Sequence, residues 1–184
     1  MDLNARIAAR IRYLRIERGL SLEALAERSS VSRSMLSLIE RGETSATAVV
    51  LEKVAAGLSI TLAAIFEPPP QEATPLVRKA DQPLWQDPES GYVRRNVSPS
   101  GALTPIQIVE VSFPAGAHVA YETGHRALPA HQQIWVLEGR IEVTVGDAQY
   151  ALDEGDCLAF ALDRPTAFGN RSRRTARYAV VTVS

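Results

Sequence analysis

Cysteine is almost absent from these 184 residues, with Cys157 the single example. One thiol excludes an intrachain disulfide framework and any zinc site built from several cysteines. No apolar run approaches the roughly 18 residues that a membrane-spanning helix needs. The first twenty residues carry arginines every few positions and no apolar core, so no secretory leader is expected and a cytoplasmic location is. Net charge is also nearly absent, at –1. It is unevenly spread, however. Residues 1–41 hold eight arginines against five acidic residues, while residues 67–184 hold eleven basic against fourteen acidic. A mildly basic head therefore precedes a mildly acidic body, an asymmetry compatible with a polyanion partner at the head. An apolar fraction of 46% with 22% charged residues excludes a disordered chain.

The apolar period changes once. Up to Phe66 it is helical. Ile7, Ile11 and Leu14 form one stripe, and Gly19 reads as a C-cap. Ser21 and Ser32 stand at N-cap positions of two further helices, the second carrying Met35, Leu36 and Ile39. Leu51, Val54, Ala55 and Leu58 give a fourth helix behind Thr47, and Thr61 opens a short fifth. The run Pro68-Pro69-Pro70 cannot continue a helix and favours extended polyproline II. The sequence thus divides into a helical domain over 1–66, a proline-rich linker over 67–76 and a second domain over 77–184. In the second domain the period becomes two. Strand-like runs hold Ile106, Ile108 or Val109, and Val111; then Ile134 to Leu137, Ile141 to Val145, Tyr150 to Leu152, Leu158 to Phe160 and Tyr178 to Val183. Short strands at about 8–12-residue spacing indicate a small β-barrel or sandwich.

The stretch from Ser21 to Glu43 carries the most specific signal. Ala26 supplies the small residue needed where two helices cross, and Leu25, Val31, Leu36 and Ile39 supply apolar contacts around a short turn. With the Arg10-to-Arg15 approach of helix 1, this resembles the Xre/Cro-type (lambda-repressor-like) helix-turn-helix over residues 5–66. One departure is Ser30, where the turn usually holds Gly; Ser pays for a positive φ that Gly adopts freely. The resemblance implies that the second helix of the motif lies in the major groove. By position, Arg33, Ser34, Ser37 and Leu38 then face the bases, Ser21 and Ser32 offer helix N-termini to phosphate, and Arg41 and Arg10 contact the backbone. Glu40 reads as structural, pairing with an arginine of helix 1. So small a unit implies a homodimer on two half-sites of double-stranded DNA.

The second domain resembles a cupin, a double-stranded β-barrel or jelly roll. The resemblance rests on residues 113–116, 134–143 and 152–156, followed by Pro165 and Asn170. The family's metal site takes two His, a Glu seven residues before a Gly, and a further His. Counted on this chain, Gln132 stands at the Glu position, Thr166 at the last His, and at most one His near His125 remains. A metal or other cofactor is therefore not expected. His118, His125 and His131 fall within fourteen residues, so a shifted metal site stays open. A small-molecule effector pocket is expected from Tyr121, His125, His131, Gln132, Trp135, Thr166 and Phe168, with Tyr178 a further aromatic candidate. Cys157 reads as buried and inert. The whole points to a transcriptional regulator, and more narrowly a repressor, with a cupin sensor and no enzymatic activity. A metal-dependent cupin oxygenase or isomerase carrying a DNA-binding head is one alternative; an antitoxin-like interaction module is another.

Overall fold

The computed structural model describes residues 3–66, 75–99, 105–122 and 130–183. Five helices come first: α1 (Leu3–Glu17), α2 (Leu22–Ser29), α3 (Arg33–Glu40), α4 (Ala48–Gly57) and α5 (Leu62–Ile65). Four of them begin at the anticipated caps. The side chains of Ser21, Ser32, Thr47 and Thr61 accept hydrogen bonds from the backbone N–H of Ala24, Met35, Val50 and Ala64, which satisfies donors no helix can satisfy itself. Ile7, Ile11 and Leu14 of α1 pack with Leu25, Leu36, Ile39, Leu51 and Val54 into one apolar core. Ser30 adopts φ 54, the left-handed conformation expected of the residue standing in for glycine. Ala26 packs against this core, and α2 and α4 also approach closely between Ser29 and Gly57, where a Cβ on Gly57 would meet the Ser29 Cβ at 2.9 Å.

Ten strands follow: β1 (Leu84–Gln86), β2 (Val93–Asn96), β3 (Ile106–Phe113), β4 (His118–Tyr121), β5 (His131–Glu138), β6 (Arg140–Val145), β7 (Ala148–Asp153), β8 (Cys157–Ala161), β9 (Thr166–Gly169) and β10 (Ala176–Val183). They form a six-stranded sheet in the order β1-β2-β3-β10-β5-β8 and a four-stranded sheet in the order β4-β9-β6-β7. The barrel interior is filled by one parity of each strand: Val109, Val111 and Phe113 of β3, Ile134 and Val136 of β5, Ile141 and Val143 of β6, and Tyr178 and Val180 of β10. Val109 thus takes the inward place, and Ile106 and Ile108 face outward, 44% and 37% exposed. Asn170 is buried with its polar atoms satisfied. Its amide donates to the carbonyls of Phe113 and Arg174, and its carbonyl accepts from Ser172.

Cys157 departs from expectation. It is exposed, because it opens β8 on the outer face, opposite Trp135 in register. Of the linker, residues 67–74, including the three prolines, lie outside the described residues.

The helical part is seated on the barrel by polar and aromatic contacts. The Ala48 amide at the start of α4 donates to Asp87 Oδ1 at 2.7 Å, while Asp87 Oδ2 accepts from the amide and hydroxyl of Ser90. Asp87 is therefore a charged side chain that is only 2% exposed yet fully bonded, in part by a helix N-terminus. The Thr61 hydroxyl donates to Gln107 Oε1 at 2.7 Å, and Lys53 pairs with Glu122 at 3.0 Å. Phe66, the C-cap of α5, meets Trp85 with ring centroids 5.3 Å apart. From there, aromatic contacts at 5.8–6.0 Å run through Tyr92, Phe113 and Tyr178 to Phe168 inside the barrel.

Candidate nucleic-acid interface and barrel pocket

The outward face of α3 is held in place from behind. Leu36 and Ile39 are buried where α3 packs on α1 and α2, which leaves Arg33 and Ser34 exposed and Ser37 and Leu38 half-buried on the outward side. Arg33 is well solvated, with a side chain 67% exposed and Glu23 Oε2 at 3.5 Å. The Ser32 hydroxyl caps α3 and lies 3.1 Å from the Ser34 hydroxyl. Ser21 caps α2 in the same way. Both serines are thus already engaged with backbone N–H groups, and a phosphate there would share those donors. Arg41 follows α3 and reaches back to the Ser37 hydroxyl, but its guanidinium also forms a two-pronged pair with Glu43 at 2.7 and 2.8 Å. That pair raises Arg41, lowers Glu43 and partly neutralises the cation. Arg10 points elsewhere. Its Nε donates to the Ala64 carbonyl, and its guanidinium lies 5.9 Å from the Tyr13 ring.

Behind this face, Glu40 does pair with helix 1. Arg15 grips it through two bonds of 2.6 and 2.8 Å and donates a third to the Leu20 carbonyl. This pair is nearly buried, with both carboxylate oxygens and three guanidinium donors satisfied, so it fixes α3 against α1.

The barrel holds a cavity of about 70 Å³ whose walls come from both parts of the chain. Tyr121, Gln132, Thr166, Phe168 and Tyr178 line it from the barrel. His131 and Trp135 do not. Along β5 the inward parity is Gln132, Ile134 and Val136, so His131 and Trp135 face outward, and Trp135 is 52% exposed. A period of two cannot put adjacent residues such as His131 and Gln132 on one face. His125 lies outside the described residues. Among the residues missed in the sequence are Tyr92 and Arg94 on the barrel side, and Glu52, Thr61, Leu62 and Ala63, which close the cavity from α4 and α5. The Tyr92 and Tyr121 hydroxyls are 3.2 Å apart, and burial pushes both phenols above their ordinary value.

The donor set does not suit a metal ion. The Gln132 amide nitrogen donates to the Thr182 hydroxyl at 3.2 Å, and Thr166 offers only a neutral hydroxyl. His118 and His131 are exposed. Among the described residues no group of three or more His, Cys, Asp or Glu comes together.

Comparison with known proteins agrees with both halves of this geometry. The helix-turn-helix family profile matches residues 11–65, and the cupin domain profile matches residues 109–182. The control protein C.MunI of Mycoplasma sp is 38% identical over 66 residues, which span 35% of this chain and 89% of that protein. The chain belongs to the helix-turn-helix regulator family, with a cupin domain behind the head. Its likeness to other members runs through both domains. The HTH-type transcriptional regulator SutR of Escherichia coli (strain K12) is 28% identical over 172 residues, 94% of this chain and 91% of that one. The crystal structure of an HTH_3 family transcriptional regulator from Vibrio cholerae superposes with a TM-score of 0.81 at 28% identity, over 99% of this chain and 97% of that one.

Proposed function

We propose that this regulator is a sequence-specific repressor that binds its operator as a homodimer and senses a small metabolite in the cupin barrel, without catalysing a reaction. The observation that carries the DNA reading is the outward face of α3. Arg33, Ser34, Ser37 and Leu38 lie on the outward side, while Leu36, Ile39 and the Arg15–Glu40 pair hold the helix rigid behind them. A planar arginine on such a helix suits bidentate contact with guanine. Repression follows if the bound dimer excludes other proteins from the same stretch of duplex. A cytoplasmic location accords with such a role.

The dimer surface we favour is the outer face of the six-stranded sheet. In register across it lie Trp135 beside Ala179 and Cys157, Ile108 beside Val181, and Ile106 beside Val183. A second copy of the chain would cover these half-exposed apolar side chains and bring two heads to one operator. Trp135→Glu is expected to convert the dimer to monomer in light-scattering chromatography.

Sensing is supported by the shared cavity. Because α4 and α5 form part of its wall, a ligand touches the head directly, and occupancy shifts the seating of the head if it favours one arrangement over another. The DNA reading is tested with Arg33→Ala, expected to weaken binding to a selected operator by about 1–3 kcal/mol with an unchanged melting temperature. Unchanged affinity would overturn the assignment.

A further inference from the structure

Arg94 is a buried cation with no carboxylate paired to it among the described residues. It sits on β2, opposite Trp85 on one side and Val111 on the other, and is 8% exposed. Its Nε makes a long 3.4 Å bond to Asn96 Oδ1, and its guanidinium lies 5.2 Å from the centre of the Phe66 ring. Among the described residues no carboxylate lies within ion-pair distance of it, and its terminal nitrogens have no hydrogen-bond acceptor. Two less buried arginines of the same chain have found carboxylates. Arg15 holds Glu40, and Arg95 holds Glu110. A buried guanidinium offers five donors in a fixed fork, and leaving them unmatched is costly. Arg94 lines the cavity, together with the neighbouring hydroxyls of Tyr92 and Tyr121.

We infer that the cavity binds a small organic carboxylate, held by the Arg94 fork with the Tyr92 and Tyr121 hydroxyls as further donors. This rests on the sensor reading above and adds the chemical class of the effector. Three features set its terms. A carboxylate matches the guanidinium fork in plane and charge, and bonds of this kind are the stronger ones. The phenols keep their protons at neutral pH because burial raises both, so they donate rather than repel. The volume sets the size. A water needs about 10–15 Å³, so about 70 Å³ suits roughly five to seven non-hydrogen atoms. Apolar walls at Phe113, Val119, Phe168 and Val180 fit a short hydrocarbon stem. Glu52 also lines the space, from α4. The small volume points to a monocarboxylate or an amino carboxylate.

The test uses the full-length protein at constant ionic strength. The probes are propionate, butyrate, 2-oxobutyrate and alanine, each beside its primary amide, with butylamine as the cation. Calorimetry and thermal melting read binding. The expected result is saturable binding of at least one carboxylate, at least tenfold tighter than its amide, and lost in Arg94→Gln. The carboxylate–amide pair needs no variant, so the inference stays open to refutation if Arg94→Gln does not fold. Amides that bind as tightly as acids, binding of butylamine alone, or no binding of any carboxylate would each overturn it. Operator affinity separates this inference from the sensor reading. A carboxylate that binds through Arg94 but leaves operator affinity unchanged removes the sensor reading and keeps the site. An amide or amine that changes operator affinity does the reverse.

Discussion

Replacing Gly57 with alanine sets two effects of known size against each other. Gly57 is the last residue of α4, and helix propensity favours alanine over glycine by up to about 1 kcal/mol. Its surroundings oppose this. The new methyl would lie 2.9 Å from Ser29 Cβ, 3.0 Å from its backbone nitrogen and 3.1 Å from its Cα. Two of these three are backbone atoms of α2, so no side-chain rotation relieves the contact. Ser29 is also pinned, since its hydroxyl donates to the Leu25 carbonyl at 2.6 Å. The helices must move apart, and overpacking of this kind costs about 1–3 kcal/mol. We expect Gly57→Ala to destabilise by about 1–2 kcal/mol net, lowering the melting temperature by about 2–8 °C if the head melts with the barrel and about 4–16 °C if it melts alone. Thermal unfolding followed by circular dichroism at 222 nm measures this. A melting temperature equal to or above wild type would refute the claim that α2 and α4 are in backbone contact at this crossing.

Ser30→Gly relieves a left-handed serine and should stabilise the head by about 0.5–1 kcal/mol in urea unfolding, after the greater freedom of unfolded glycine is subtracted. Glu43→Gln releases Arg41 and removes a negative charge beside the DNA, so operator affinity in low salt should rise about two- to fivefold and the gain should shrink as salt increases. Burial alone would raise the Glu110 carboxyl, but hydrogen bonds from Arg177 and Arg95 outweigh it and hold the group below its ordinary value of 4.5. A lowered folded-state pKa means stabilisation that is present above the unfolded value and lost as pH falls through the folded one. Glu110→Gln should therefore be less stable than wild type at pH 7, with the difference vanishing in melts carried down through the acid range.

What could be read in advance was what depends on near neighbours. Ser21, Ser32, Thr47 and Thr61 were legible as caps because a cap is settled within four residues. The left-handed Ser30 followed from one substitution in a turn, and Glu40 pairs with helix 1 as expected of an acidic side chain behind a recognition helix. The barrel pocket was legible only in part. Gln132 and Thr166 came from motif spacing, which fixes strand parity, and Phe168 from its aromatic character, whereas His131 and Trp135 were drawn in without regard to parity. Cys157 was read as a core residue because a free cysteine is usually buried, but its parity places it outside. Arg94 was not legible at all. Its role depends on Phe66 and the end of α5 folding over the barrel mouth, a contact between segments far apart in sequence. Asp87 is similar, since nothing near it announces that it will cap α4.

The central claim is that α3 reads a two-fold DNA site. The most direct measurement is selection of bound duplexes from a randomised pool by the full-length protein, with Arg33→Ala carried in parallel. The account predicts an enriched inverted repeat with half-sites about one helical turn apart, and loss of a conserved guanine preference in each half-site for the variant. Recovery of no preferred sequence, or of the same sequence by both proteins, would contradict it.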